Sequence, residues 1–351
     1  MCSSLGKEWR DLCLAPDMSI RDALRCIDKA AKQFALAVHG DGVLVGVLTD
    51  GNIRRALISG STLESPVDRI MTADPARVDA TVTAEQAMRL MTEKDVSHLP
   101  VVDGGGRVIG LWSRKDLQST KELPNSVVLM AGGLGTRLGS LTETCPKPML
   151  RVGEQPLLEI ILRQYVRTGF RRFYMAVNYL ADSIIEHFGD GSAFGCRIEY
   201  LRENKRMGTA GALSLLPAQE LPFLVANGDV LTHMNMRWLL FDHVVRGAAA
   251  TMVVKRHSFT VPYGVVDADA GGVITGIREK PEYNFCVNAG MYAISPDILP
   301  LIPADTFFDM PDLFKALVAG GRKPFIYQTE DYWLDIGHIG DYERAQRDMV
   351  E

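Results

Sequence analysis

Residues 19–57 and 83–117 carry one pattern twice, and a chain that repeats itself must fold both copies alike. The first copy reads SIRDALRCIDKAAKQFALAVHGDGVLVGVLTDGNIRRAL and the second TAEQAMRLMTEKDVSHLPVVDGGGRVIGLWSRKDL. Ser19 matches Thr83, Gly46 matches Gly110, Thr49 matches Ser113 and Ile53 matches Leu117, always 64 residues apart. Each copy predicts a helix, a short strand, a glycine-containing turn, a second strand, and a helix opened by Thr or Ser. One copy of this size cannot bury its own apolar face, so the two are expected to pack as a pseudo-symmetric pair.

HLPVVDGGGRVIGLWSRKDL resembles a CBS motif, and the pair resembles a tandem CBS (Bateman) α/β domain over residues 1–120, with repeats at about 13–65 and 72–120. The resemblance implies a regulatory site for an adenosine nucleotide such as AMP or ATP. A Thr or Ser and an Asp three residues later hold the ribose and phosphate in that family. Ser113 and Asp116 fit, whereas Thr49 is followed by Asn52 where Asp is expected. A ligand-free module that aids dimerisation is the alternative, and Ser113 alone also suits a helix N-cap.

Residues 118–125, QSTKELPN, lack apolar periodicity and read as a linker. From Val127 onward, strands alternate with amphipathic helices: SVVLMA, PLLEIILRQYVRTG, FYMAVN, ADSIIEHFG, CRIEYLR, TAGALSLLP, FLVANGD. That alternation predicts an α/β domain over 126–351, with a mostly parallel, Rossmann-like sheet covered by helices. Ligands then sit at the carboxyl ends of the strands.

MAGGLGTRLGSLTETCPKPML begins at that position. Gly132, Gly133, Leu134 and Gly135 follow a strand directly, and glycines let backbone N–H groups approach an anion closely. Arg137 offers a planar fork for phosphate oxygens and Lys147 a point charge. Pro146 and Pro148 restrict the backbone on either side of Lys147. The spacing matches neither a P-loop nor G-x-G-x-x-G. With a net charge of −5, the chain has no general attraction for nucleic acid or anionic membranes, so bound anions need a local site.

The string G-G-x-G-T-R-L with P-K-P is similar to the signature of sugar-1-phosphate nucleotidylyltransferases. MGTAGAL, NGD, PYGVV, REKP, VNAGMY and WLDIG follow in that family's order. The resemblance implies a GT-A-like domain that joins a nucleoside triphosphate to a sugar 1-phosphate and releases pyrophosphate. Its nucleotide-binding positions fall on Ala131, Gly132, Gly133, Gly135, Thr136, Arg137, Gly208 and Thr209. Its sugar-phosphate positions fall on Gly264, Glu279, Lys280 and Asn288. Arg137, Lys147, Asp229 and Asp335 would be catalytic. Asp229 ends a strand after Asn227 and Gly228, and a pair of carboxylates suits Mg²⁺ (or Mn²⁺). The resemblance assigns that metal to Asp229 and Asp335. Thr209 is also placed to cap the helix that follows it. No ligand spacing joins the seven histidines.

GTAGAL and the preceding CBS pair resemble mannose-1-phosphate guanylyltransferases and bacterial glucosamine-1-phosphate guanylyltransferases of surface-glycan and legionaminic acid pathways, which favours GTP. Thymidylyl, uridylyl and cytidylyl transfer, a GT-A glycosyltransferase and a non-catalytic nucleotide sensor are the alternatives. Only HIGDYERAQRDMVE follows WLDIG, so no fused acyltransferase is expected. The cysteines are scattered without a C-x-x-C pair, and the first residues are charged where a leader would be apolar. A cytoplasmic homo-oligomer with reduced thiols and no membrane contact is the expectation.

Overall fold

The structure is a computed structural model that describes residues 8–30, 33–119, 121–133 and 135–348. Leu134 of the glycine loop, residue 120 of the linker, and Cys2 lie outside the described residues. The five cysteines within them are free. Among the described residues, no helix is long and apolar enough to cross a membrane. The fold is α/β and divides into two compact units. One comprises Met1–Pro124 with Met236–Ala248; the other comprises Asn125–Asn235 with Ala249–Glu351.

In the first unit the two copies fold alike. The first has helix Ile20–Ala30, strands Phe34–Val38 and Leu44–Thr49, and helix Asp50–Ile58. The second has helix Ala84–Glu93, strands His98–Val102 and Val108–Ser113, and the short helix Arg114–Leu117. Their pseudo-symmetry is visible in single bonds. Leu44 N donates to Gly106 O at 3.0 Å, and Val108 N donates to Gly42 O at 3.0 Å. Phe34 stacks on its counterpart His98 with ring centroids 4.3 Å apart. A shared core of Leu12, Phe34, Leu36, Leu44, Val102 and Val108 lies where the copies meet.

The helix Met236–Val245 belongs to this unit although it lies far along the chain. Seven of its ten residues are buried, including Arg237, Asp242 and His243. Trp238 Nε1 donates to Leu117 O at 3.1 Å, and Arg237 Nη1 to Lys121 O at 2.8 Å. The sequence reading kept this segment with residues 126–351, because its apolar pattern carries no mark of which core it joins.

The second unit is built on seven strands: β1 (Leu123–Met130), β2 (Phe170–Val177), β3 (Arg197–Arg202), β4 (Phe223–Asn227), β5 (Ala250–Thr260), β6 (Glu282–Ile294) and β7 (Phe325–Thr329). They lie in the order β3-β2-β1-β4-β6-β5-β7. β1 pairs in parallel with β4, β2 with β3 and β5 with β7, while β6 runs antiparallel to both its neighbours. β1 begins inside the segment read as linker, because Leu123 is buried there and Asn125 anchors its amide on Pro222 O at 2.7 Å. The core cluster includes Val128, Tyr174, Phe223, Val225, Tyr292 and Leu313.

TAGALSLLP was expected to form one helix; instead a helical turn, Gly208–Gly211, gives way to a 3₁₀ turn, Ala212–Leu215. Two glycines weaken a helix here, and the N–H groups of Ala210 and Gly211 turn to Phe308 O rather than to the preceding turn.

Candidate functional site

The chain runs outward from β1 in opposite directions, through β2 and β3 on one side and β4 on the other, so the β1–β4 boundary is a topological switch point. The carboxyl ends of β1, β3 and β4 lead into the glycine loop, the Glu203–Met207 turn and Asp229, respectively. A cavity of about 450 Å³ opens there. Its lining includes Gly132, Gly133, Gly135, Thr136, Arg137, Lys147, Gly208, Thr209 and Asp229.

Each part of this wall has a local cause. Gly135 has φ +66°, and a Cβ there would lie 2.9 Å from Thr142 Cγ2 and 3.1 Å from Lys147 Cβ. The Thr142 hydroxyl donates to Gly135 O at 3.0 Å and ties the loop closed. Pro146 and Pro148 enclose a single 3₁₀ turn, Lys147–Met149, in which Lys147 is only 7% exposed. Its Nζ forms an ion pair with Asp229 Oδ2. Ala131 is buried just behind the loop, with its N–H on Ala176 O at 2.8 Å.

Asp335 is brought to Asp229 by backbone pairing. Val230–Thr232 and Trp333–Asp335 form a two-stranded antiparallel ribbon in which Val230 faces Asp335. Ile336 N donates to Asp229 O at 3.0 Å. Burial pushes the Asp335 carboxyl above its ordinary value, and the charge of Asp229 pushes the same way; Lys147 and Arg137 oppose this. Asp229 Oδ1 is buried without a hydrogen-bond partner. Two crowded carboxylates, one with an unpartnered buried oxygen, fit a hard divalent cation. Among the described residues no group of three or more His, Cys, Asp and Glu is placed to hold an ion.

Gly264, Glu279, Lys280 and Asn288 do not line this cavity. They lie on the exposed extension of β5 and β6 and on the hairpin it carries. Glu279 Oε2 lies 3.0 Å from where a Cβ on Gly264 would stand, and Lys280 adopts φ +42°. Asn288 Nδ2 donates to Tyr292 OH at 2.7 Å.

Thr209 does not cap its own helix: its Oγ1 accepts from Met310 N at 2.9 Å, at the start of helix Met310–Ala319. In the first unit, Thr49 Oγ1 accepts from Asn52 N at 3.2 Å and Asn52 Oδ1 from Thr49 N at 3.0 Å, so both residues form a capping box. Ser113 is 5% exposed and makes no such cap bond. Burial lowers the Arg237 pKa, and the charge of Asp116 works against that effect.

Asn227 of the NGD motif also lines the cavity, as do Glu203, Arg206, Phe307 and Asp309, which no motif marked. Glu203 Oε2 accepts from Met207 N at 3.1 Å, and a Cβ on Gly132 would stand 2.5 Å from its Oε1. Burial raises the Glu203 carboxyl, opposed by the Met207 N–H.

Residues 126–351 match the nucleotidyl transferase family, and residues 8–59 and 67–120 each match the CBS domain. A UTP–glucose-1-phosphate uridylyltransferase of Synechocystis is 32% identical over 247 residues, covering 64% of this chain and 63% of that protein. A mannose-1-phosphate guanylyltransferase of Mycobacterium tuberculosis is 31% identical over 229 residues, covering 64% of each chain. The chain therefore spans just under two thirds of the length of these relatives. The crystal structure of HddC from Yersinia pseudotuberculosis shares 26% identity and a TM-score of 0.50, covering 64% of this chain and 99% of that one. The glycine loop that closes over Lys147 and the ribbon that joins Asp229 to Asp335 thus lie within a matched region of 226 residues: behind its CBS pair, the chain belongs to the nucleotidyl transferase family.

Proposed function

We propose that the protein transfers a nucleotidyl group from a nucleoside triphosphate, with GTP favoured, to a hexose or amino-sugar 1-phosphate, releasing pyrophosphate. The observation that carries this reading is the convergence of the glycine loop, Arg137, Lys147 and Asp229 on one cavity. Loop amides and Arg137 hold the triphosphate and the departing pyrophosphate. Lys147 neutralises charge where the two phosphates meet, and its buried stem fixes where that charge stands. The acceptor phosphate oxygen is already anionic, so an in-line attack on the α-phosphorus needs no strong general base. Asp229 and Asp335 would hold Mg²⁺ (or Mn²⁺), which would supply charge neutralisation for the phosphates. Glu279, Lys280, Asn288 and Gly264 receive the sugar phosphate from the extension.

Glu203 favours guanine. Among the described residues its Oε1 has no hydrogen-bond donor, and a carboxylate matches the adjacent N1–H and N2–H groups of guanine. Uracil and thymine offer one N–H between two carbonyls, which leaves a carboxylate oxygen opposed to a carbonyl oxygen. The CBS pair takes an adenylate at Ser113 and Asp116, where the second copy carries the Ser-x-x-Asp spacing that Thr49 and Asn52 lack.

Pyrophosphate release from five nucleoside triphosphates, each mixed with a panel of sugar 1-phosphates, tests the reading. GTP with one hexose or amino-sugar phosphate should give the highest kcat/KM. The highest rate with UTP would move the chain to the uridylyltransferases. Glycosyl transfer without pyrophosphate release, or nucleotide binding without turnover, would overturn the proposal.

A further inference from the structure

The turn that carries Gly208 and Thr209 is too short to hold its own shape. Helices of one turn gain little from their internal hydrogen bonds. Its conformation is instead imposed by the segment Thr306–Met310, about a hundred residues later. Phe308 O accepts from Ala210 N at 3.0 Å and Gly211 N at 2.8 Å, while Phe308 N donates to Met207 O at 2.8 Å. Gly208 has φ +79°, and a Cβ there would stand 2.7 Å from both Asp309 Oδ1 and Phe308 O.

Asp309 is the unusual member. It occupies the N-cap of helix Met310–Ala319, where an Asp ordinarily accepts from amides of its own first turn. Here it makes no such bond. Its Oδ1 accepts from Thr209 N at 2.8 Å and from the Thr209 hydroxyl at 3.2 Å. The Thr209 hydroxyl in turn accepts from Met310 N at 2.9 Å, doing for that helix what Asp309 leaves undone. The two residues have exchanged capping duties, and both line the cavity.

We propose that Asp309 is a positioning residue for the nucleotide: it holds the Gly208–Thr209 turn in the shape that receives the nucleoside. This rests on the assignment of the cavity to a nucleoside triphosphate. The charge of Asp309 is not what the turn requires. An acceptor at Oδ1 is, so an amide should serve nearly as well and a methyl should not.

The test compares wild type, Asp309→Ala and Asp309→Asn by steady-state kinetics, by direct GTP binding at equilibrium, and by thermal melting. Asp309→Ala should raise both the KM and the Kd for GTP roughly tenfold to a hundredfold, the scale of two lost bonds to a carboxylate. The KM for the sugar phosphate should stay within about twofold and kcat within about threefold, a split that general loosening of the fold would not produce. Asp309→Asn should restore GTP affinity to within about threefold of wild type. Unchanged GTP affinity in Asp309→Ala, or equal loss for both substrates, would overturn the inference while leaving the transferase reading intact. Should wild type bind GTP without turning over, the reaction assignment fails alone, and the Kd comparison still decides the role of Asp309. A wild type that binds no nucleoside triphosphate overturns both.

Discussion

Lys147 and Asp229, 82 residues apart in sequence, form an ion pair inside the cavity, with side-chain exposures of 8% and 23%. Pairs this enclosed keep their strength in salt, unlike surface pairs. On the proposed function, a bound triphosphate would draw on both halves, the cation for phosphate and the carboxylate for metal.

Asp229→Asn should therefore lower kcat at least about a thousandfold while the protein still folds, since the amide keeps the shape but loses the charge. Lys147→Met should cost roughly a hundredfold or more. Pyrophosphate release, with circular dichroism as the folding control, checks both; near-normal turnover in either variant would refute the assigned role.

Removal of divalent cations with EDTA should stop turnover, and Mg²⁺ should restore it. If Asp335 holds the metal as proposed, Asp335→Asn should raise the Mg²⁺ concentration at half-maximal rate by about tenfold or more. A Mg²⁺ titration of the variant decides this, and an unshifted midpoint would remove Asp335 from the metal site.

The glycine loop makes a sharp comparison possible. Gly135→Ala forces a side chain into a left-handed backbone and against Thr142 and Lys147. A Cβ on Gly133 would meet nothing within 4 Å. Gly135→Ala should weaken GTP binding at least about tenfold, and Gly133→Ala by no more than about threefold. Calorimetric titration with GTP measures both.

Acid stability should depend on Glu159. Burial alone would raise its carboxyl, but hydrogen bonds from Arg163 and His187 bring it below its ordinary value of 4.5. A depressed folded pKa gives stability that is complete above the ordinary value and lost as pH falls through the folded one. The wild-type melting temperature should therefore fall more steeply than that of Glu159→Gln once the pH drops below 4.5. Parallel curves would show that the Glu159 cluster contributes nothing in acid.

Much of this site was legible because its chemistry is local in sequence. Gly132 to Arg137 and Pro146 to Pro148 each fall within a few residues, and β1 delivers them together. The repeat was legible for a related reason: an offset of 64 residues predicts equivalent contacts, and Phe34 stacking on His98 is one of them. Asp335 was found by its motif, but its position beside Asp229 depends on a ribbon register that no local pattern encodes. Glu203 and Asp309 were missed because each acts on residues apart from it in sequence, Glu203 on Gly132 and Asp309 on Thr209, from segments that no motif singles out. Thr209 misled for the same reason: the helix its hydroxyl caps begins at Met310.

The placement of the helix Met236–Val245 bears on how the chain can be taken apart. The polypeptide leaves the transferase unit six residues after Asp229, contributes a buried helix to the repeat unit, and returns at Ala249 to begin β5. Cleavage at the junction near residue 124 would therefore release neither unit whole. It would strip that helix of the partners of Trp238 and Arg237 and leave Leu239, Leu240 and Phe241 short of their cover. The repeat unit and the unit that carries Asp229 thus share one backbone that passes from one to the other three times, after Pro124, after Asn235 and after Ala248.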